Sequence, residues 1–547
     1  MIDTRPDAER ARRHYDRGEW PRPGSPSGVP HALRMHAKAK PRQRMIVDRL
    51  GTLTYAEVED AVARVAEGLA RLGVVEGDAV TVQLPNWREA LIADVAIESL
   101  GAVIVPLPPI YRAGDVRHAA RLTEAKVAIL AASDAFDFVG MYRALTPDLP
   151  DLKALVVVGR DGQSVEGEGI HPFTSLLASE RRDLALLEEK SLTGDRATQI
   201  GFTSGSTGLP KGAVHTSNTL RAEHRMWLEA FRVTAEDVQF VPATVGHQIG
   251  FDMIGATLLV GGTIVFIEKW SASAALALME EAGVTFTFTT PAFLYDVLAA
   301  AGPHQARLAA MKTWVLAGQV VTSALRADAV ARLPHVRFAP LFGMTEMGGV
   351  LMGDHDAPED KLPATGRAQP GVTVDVRDFD GEPVGVDVDG ELVIQSASLC
   401  HGYYKQPEAT AASFTKDGFF RTGDQVRRDA EGYVSITGRI KDLIRRGGES
   451  ISPEEVEEVL ARHPKVVEAS IVGMPDPRLG ERVCAFVVAV PGATLTLPEL
   501  LDFVRGTGLT KQKWPERLEV VTDLPRTSIG KIHKASLRTR AAGLQGS

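Results

Sequence analysis

The chain has 547 residues, 44% of them apolar, too long for one ordinary hydrophobic core, so at least two packed domains are expected. A formal charge of −9 without a long basic run excludes the electrostatic footprint of a nucleic-acid binder and leaves small molecules as the expected partners. Cys400 and Cys484 stand far apart without metal-ligand spacing, which argues against a disulfide framework and a zinc site and suits a reducing cytoplasm.

Residues 1 to about 30 are charged and closed by Pro21, Pro23, Pro26 and Pro30, and read as an arm without regular structure. No apolar core of signal-peptide type occurs there. The longest apolar run, near residues 255–267, is too short to span a bilayer, so a soluble protein is expected. Thr54 with Glu57 reads as a capping box, and Val58, Val62, Val65, Leu69 and Leu72 recur at helical spacing until Gly73 and Gly77. Strands at 80–84, 102–107 and 126–130 alternate with helices after Pro85 and at 116–123, the pattern of a parallel sheet with crossover helices. Residues 159–169 are polar and glycine-rich and read as a loop.

A strand over 197–202 then leads into Thr203-Ser204-Gly205-Ser206-Thr207-Gly208-Leu209-Pro210-Lys211-Gly212, and a helix is expected over 217–231. Glycines and hydroxyl residues make this loop dense in reachable backbone N–H groups, which is what a polyphosphate needs around it. A Walker A loop would end in Gly-Lys-Ser/Thr, and the order Pro210-Lys211-Gly212 fits no such register. Alternation resumes with strands at 238–241, 263–267, 285–289, 314–318 and 336–342 and a helix from His247, forming a second α/β unit. Short strands and close turns over 366–402 predict a small all-β element. Near Arg439 the chain enters a basic, glycine-containing stretch before Ser452-Pro453 opens a helix, and the domain boundary is placed there, dividing 1–440 from 441–547.

The Thr203–Gly212 loop resembles the phosphate-binding signature of the adenylate-forming superfamily, which comprises acyl-CoA synthetases, aryl-CoA ligases, luciferases and the adenylation domains of peptide synthetases. Four further stretches resemble its other signatures in family order, so that the resemblance runs from about Thr52 to Lys534. It implies an α/β fold: a large N-terminal domain of two α/β subdomains with a small β-barrel element, and a small mobile C-terminal α+β domain. It also implies ATP, Mg²⁺ and coenzyme A as cofactors.

By this resemblance Lys211 and the loop residues Ser204 to Gly208 hold the β- and γ-phosphates, while Thr203 and Glu346 bring oxygen ligands to Mg²⁺. Phe342-Gly343-Met344-Thr345-Glu346 matches the second signature, with Phe where the family usually has Tyr, which keeps stacking on adenine and removes a hydroxyl. Asp424, in Arg421-Thr422-Gly423-Asp424, is the implied ribose ligand, a role suited to a charged acceptor. Arg439 also reaches ribose or phosphate, and Lys441 is the hinge pivot. Lys531, in the Pro525–Ile532 signature, is implied to contact the substrate carboxylate and the α-phosphate during adenylation.

Peptide-synthetase adenylation domains carry a pocket aspartate for the α-ammonium of an amino acid, at the segment that here reads Val245-Gly246-His247-Gln248-Ile249-Gly250, and none of these is acidic. Asp252 lies further along and is discounted. His247 resembles the pocket histidine of acyl- and aryl-CoA ligases, with Ala317, Gly318 and Gly343 as small walls that admit a ring or a short chain. The implied pantetheine tunnel is lined by Arg446, Gly447 and Gly448, with Ser450 in place of the usual asparagine. The expected activity is ATP-dependent activation of a monocarboxylic acid to an acyl-adenylate with pyrophosphate release, then transfer to the thiol of CoA, by a monomer or homodimer. Loading of a carrier-protein pantetheine, activation of another oxyanion, amide-bond formation, and a non-catalytic nucleotide or acyl sensor remain as alternatives.

Overall fold

A computed structural model describes residues 8–21, 23, 25, 27–160, 167–185, 194–203, 210–301, 308–319, 321–378, 380–446, 449–526 and 532–544. These fall into two compact units, Met1–Thr373 with Gln395–Phe414, and Val374–Ile394 with Thr415–Ser547. The expected boundary at 440/441 lies within the second.

The first unit holds two sheets flanked by helices. One runs in the order Ile170–Pro172, Ala154–Val158, Val127–Ala131, Ala79–Gln83, Val103–Pro106, Ala197–Thr203, Lys211–Thr216, parallel except for the last pair. Its central strands are buried along their whole length, as strands covered on both faces must be. The second sheet places Arg337–Met344, Thr313–Ala317, Phe286–Thr289, Val238–Val241 and Thr263–Phe266 in parallel succession over a core that includes Phe240, Trp314 and Phe338. Thr54 and Glu57 form the capping box as expected, and the Tyr55–Arg71 helix buries Val58, Val62, Val65 and Leu69.

Three elements differ from expectation. The N-terminal arm includes a helix, Ala8–Asp16. Its residues are held by distant partners: Arg10 donates to the carbonyl of Cys400 at 3.0 Å, Tyr15 to Asp195 at 2.7 Å, and the buried Trp20 to the carbonyl of Ala397 at 2.9 Å. Tertiary burial thus overrides a polar, proline-closed composition. Lys211–Thr216 is a strand, so the glycine-rich loop joins two antiparallel strands before the Ser217–Phe231 helix begins. Likewise Arg337–Met344 turns back through Thr345-Glu346-Met347 into the strand Gly348–Met352. Of the polar loop expected over 159–169, residues 161–166 lie outside the described residues.

In the second unit, Asp389–Ser396, Phe420–Arg428 and Tyr433–Arg439 pair antiparallel. A further sheet joins Glu449–Ile451, Ile444–Arg446, Gly480–Ala489 and Val466–Asp476, with Arg517–Val521 parallel to Gly480–Ala489. Pro453–Leu460 and Leu497–Arg505 contribute Val456, Leu460, Leu500 and Val504 to one core, and Lys534–Gly543 contributes Leu537 and Ala541 to another. Among the described residues no helix is long and apolar enough to cross a membrane.

Candidate active site

The hairpin of Ala197–Thr203 and Lys211–Thr216 sets Thr203 directly opposite Lys211 at the root of the loop, and Ser204, Gly205, Ser206, Thr207 and Gly208 lie outside the described residues. A third extended segment runs along this hairpin. The amide of His401 donates to the carbonyl of Val214 at 2.9 Å, Val214 to Gly402 at 3.0 Å, and Tyr404 to Gly212 at 2.8 Å. That pairing carries Tyr403 to the loop, with the Lys211 ammonium 4.6 Å from its ring centroid, a cation–π contact. The Tyr403 hydroxyl donates to Glu346 Oε1 at 2.7 Å. Burial first, then the neighbouring Glu346 carboxylate, hold the phenol protonated far above its ordinary range, so it remains a donor. Lys211 and Glu346 are therefore linked through a tyrosine that the sequence reading did not single out. An aromatic pair after a glycine, Gly402-Tyr403-Tyr404, is the one local signal for it.

The second signature is fastened to the same hairpin. His215 is fully buried, with Nε2 2.7 Å from the carbonyl of Thr345 and Nδ1 3.2 Å from the hydroxyl of Thr219. Burial pushes its pKa down to about 4, so the neutral ring donates from Nε2 to Thr345 and accepts at Nδ1. Glu346 is 5% exposed, its carbonyl accepting from the amide of Cys400 at 2.7 Å. Met344 ends its strand half-buried. Gly343 has no space for a side chain, since a Cβ there would stand 2.2 Å from the carbonyl oxygen of Gly348.

Of the expected acyl-pocket residues, His247 is the half-buried N-cap of the Gln248–Val260 helix, Ala317 ends a buried strand beside Leu341, and Gly318 follows with φ +80°. In the second unit Asp424 and Arg439 face each other across the antiparallel pair, with Arg439 Nε 2.6 Å from Asp424 Oδ1. Asp424 is 1% exposed, and its amide donates to Thr422 Oγ1 at 3.1 Å. Lys441 is exposed and precedes Asp442, which pairs with Arg538 of the last helix.

Arg446 is held by a bidentate fork on Glu516, at 2.9 and 3.0 Å. Gly447 and Gly448 lie outside the described residues, as does Lys531. The flanks of Lys531 are described: Arg526 and Ile532 form an antiparallel bridge, and Lys534 pairs with Glu454 at 3.1 Å and Glu457 at 2.9 Å. Lys211, Glu346 and Thr345 are thus assembled in the first unit, Asp424 and Arg439 in the second.

Residues 33–404 match the family model of the AMP-binding enzyme, and residues 455–531 that of the AMP-binding enzyme C-terminal domain. The chain is 33% identical to a medium-chain fatty-acid–CoA ligase of Escherichia coli K12, covering 92% of this chain and 88% of that one. It is also 33% identical to the salicyl-AMP ligase / salicyl-S-ArCP synthetase of Mycobacterium tuberculosis, over 89% of this chain and 85% of the relative. Among solved structures, ATP-bound MatB from Rhodopseudomonas palustris superimposes with a TM-score of 0.83 at 27% identity, covering 93% of this chain and 99% of that one. Signatures, fold and relatives agree, and the chain belongs to the AMP-binding enzyme family, as an AMP-forming acid–thiol ligase of the acyl-CoA and aryl-CoA synthetase type.

Proposed function

We propose that this ligase activates a monocarboxylic acid of ring or short-to-medium chain size and passes the acyl group to coenzyme A. The observation that carries the reading is the Lys211–Tyr403–Glu346 linkage at the root of the phosphate loop, in which one tyrosine contacts a cation through its ring and a buried carboxylate through its hydroxyl. In the first half-reaction a carboxylate oxygen of the acid attacks the α-phosphorus of ATP and pyrophosphate leaves. In the second the thiol sulfur attacks the acyl carbon and AMP leaves.

Lys211 and the loop amides would hold the β- and γ-phosphates against the approach of the anionic acid. Asp424, fixed by Arg439, would accept from the ribose hydroxyls. The Glu346 carboxylate and the Thr203 hydroxyl are hard oxygen donors of the kind Mg²⁺ takes, and Glu346 is buried and oriented by Tyr403, so the residues fit the ion. When bound, Mg²⁺ would neutralise phosphate charge. His215 would keep Thr345, and with it the turn that carries Glu346, against the loop hairpin.

Lys531 would neutralise charge between the carboxylate and the α-phosphate. A functional boundary at 440/441 with Lys441 as pivot would let the C-terminal domain exchange Lys531 for the 446–448 region between half-reactions. The Arg446 fork on Glu516 supports a wall-forming role for that arginine.

Carrier-protein loading is the second reading, favoured by the likeness to the salicyl-S-ArCP synthetase. The test is a panel of carboxylates scored by pyrophosphate release and then by the mass of the CoA thioester. Turnover of monocarboxylic acids with CoA is expected. Turnover of α-amino acids alone would overturn the acid class, and loading of a carrier protein without turnover of free CoA would select the second reading.

A further inference from the structure

Residues 397–402 belong to no helix or strand, so their course is set by what their backbone meets. Ala397, Leu399 and Cys400 are buried, and buried carbonyls and amides must be paired. The carbonyls are paired by the N-terminal arm. Trp20 Nε1 donates to the carbonyl of Ala397 at 2.9 Å, and the Arg10 guanidinium donates to that of Leu399 and, at 3.0 Å, to that of Cys400. Arg13 adds a bond to the side chain of Gln395 at 3.2 Å. The amides turn to the candidate active site: Cys400 donates to the carbonyl of Glu346, His401 to that of Val214, and Tyr404 to that of Gly212, at 2.7, 2.9 and 2.8 Å.

Cys400 shows the connection most directly. Its carbonyl takes Arg10 and its amide holds the backbone of Glu346, three residues before Tyr403 reaches the Glu346 side chain. The arm is in turn built into the fold. Trp20 is buried, packs with Ala222 and Ala397, and sets its ring edge-on to His401 at 6.3 Å. Tyr15 donates to Asp195 at 2.7 Å and accepts from Asn218 at 3.0 Å, which ties the arm to the Ser217–Phe231 helix.

We infer that the arm is part of the adenylation machinery, with Arg10 and Trp20 as positioning residues that hold 397–403 where Tyr403 and Cys400 can orient Glu346 for Mg²⁺. The inference rests on the adenylation reading and extends its site to the first twenty residues. Both residues act through the backbone of this segment. Without them three buried carbonyls lose their donors, and the segment must shift to pair them elsewhere. That shift loosens the Cys400 and Tyr403 bonds to Glu346, and the carboxylate is no longer held in one orientation.

The first measurement is hydrogen exchange of the metal-free, full-length protein. Arg10→Ala and Trp20→Phe should each speed exchange at the amides of Cys400, His401 and Tyr404 by roughly threefold or more, and by more than any change in the Thr313–Ala317 strand. The second is pyrophosphate release titrated with Mg²⁺ at saturating ATP and acid, where each variant should raise the half-maximal Mg²⁺ by roughly threefold or more. Val297→Ala loosens the core of the second sheet and should leave the half-maximal Mg²⁺ in place. In a Tyr403→Phe background, Arg10→Ala should raise it less than in the unaltered enzyme, because the hydroxyl that the arm positions is already gone. Trp20→Phe keeps the ring and removes only an N–H, and it carries the test if Arg10→Ala does not fold.

Unchanged exchange over 400–404, a Mg²⁺ requirement that does not move, an equal shift in Val297→Ala, or an equal shift with and without the Tyr403 hydroxyl overturns the inference and leaves adenylation standing. Absence of pyrophosphate release by the unaltered enzyme with every carboxylate overturns the adenylation reading itself, and the inference with it.

Discussion

Tyr403 donates its hydroxyl to Glu346 at 2.7 Å while its ring lies under the Lys211 ammonium, so one side chain orients both charged groups. Tyr403→Phe keeps the ring and removes the donor. A hydrogen bond to a charged group is worth about 1.5–3 kcal/mol, and the variant should lose adenylation by roughly tenfold or more. Pyrophosphate release should need more Mg²⁺ to reach its half-maximum, because the carboxylate is no longer held in one orientation. Titration of Mg²⁺ at saturating ATP and acid checks this. Loss of kcat at an unshifted Mg²⁺ requirement would place Tyr403 in packing alone.

His215 makes a pH prediction with a definite sign. Its folded pKa of about 4 lies below the ordinary value near 6.5 because it is buried neutral. Below about pH 6.5 the unfolded chain takes up a proton that the folded one refuses, so the stability is present above that pH and is lost as pH falls toward about 4. The full effect is about 3 kcal/mol. His215→Asn has no such slope, so the gap between it and the unaltered protein, large at about pH 7, should narrow at about pH 4.5 in parallel urea unfolding. A gap that stays constant would mean that His215 is not neutral in the fold.

Local periodicity was enough for most of the scaffold, and the reasons are visible residue by residue. The capping box at Thr54, the strands around Val80 and Trp314, and the helix from Ser217 each carry their signal within a few neighbours. What stayed hidden depends on partners far along the chain. Ala8–Asp16 is helical beside residues 395–401, and Tyr403 reaches Glu346 across 57 positions. The strand Lys211–Thr216 was masked by Pro210 and Gly212, which read as loop, although Val214, His215 and Thr216 tolerate an extended backbone. Asp252 was discounted as lying too far along, yet a lone acid in a helix otherwise free of charge is itself a sign of buried polar pairing.

Lys441→Pro tests the pivot. The amides on either side of this residue are engaged, Ile440 with the carbonyl of Gly423 at 3.0 Å and Asp442 with that of Arg439 at 2.8 Å, whereas the Lys441 amide has no partner among the described residues. A proline there removes no such bond but fixes φ near −65° and restricts Ile440. Adenylation should survive while thioester formation falls steeply, measured as pyrophosphate release against CoA thioester from the same preparation. Equal loss of both would point to misfolding or to a hinge elsewhere.

Lys531→Ala tests the last signature by separating the half-reactions. A lysine placed against the carboxylate and the α-phosphate sets a positive charge where negative charge is reorganised in the transition state, in a site from which water is largely excluded. Losing one preorganised contact of this kind costs roughly 10² to 10³ in rate, about 3–4 kcal/mol. Stability should change little, because the contacts of the described residues that flank it in sequence are the Arg526–Ile532 bridge, the ion pair of Arg526 with Glu468 at 2.7 Å, and the pairs of Lys534 with Glu454 and Glu457. None of these uses the Lys531 side chain. The decisive comparison supplies the variant with chemically prepared acyl-adenylate and CoA. Near-normal thioester formation from that intermediate, beside a loss of roughly 10² or more from acid and ATP, is the expected pattern. Equal impairment of both routes would place the lysine in the thiol-transfer step as well. Full activity from acid and ATP would make Lys531 a solvated charge and move the search for the neutralising cation to Lys211 and Arg439.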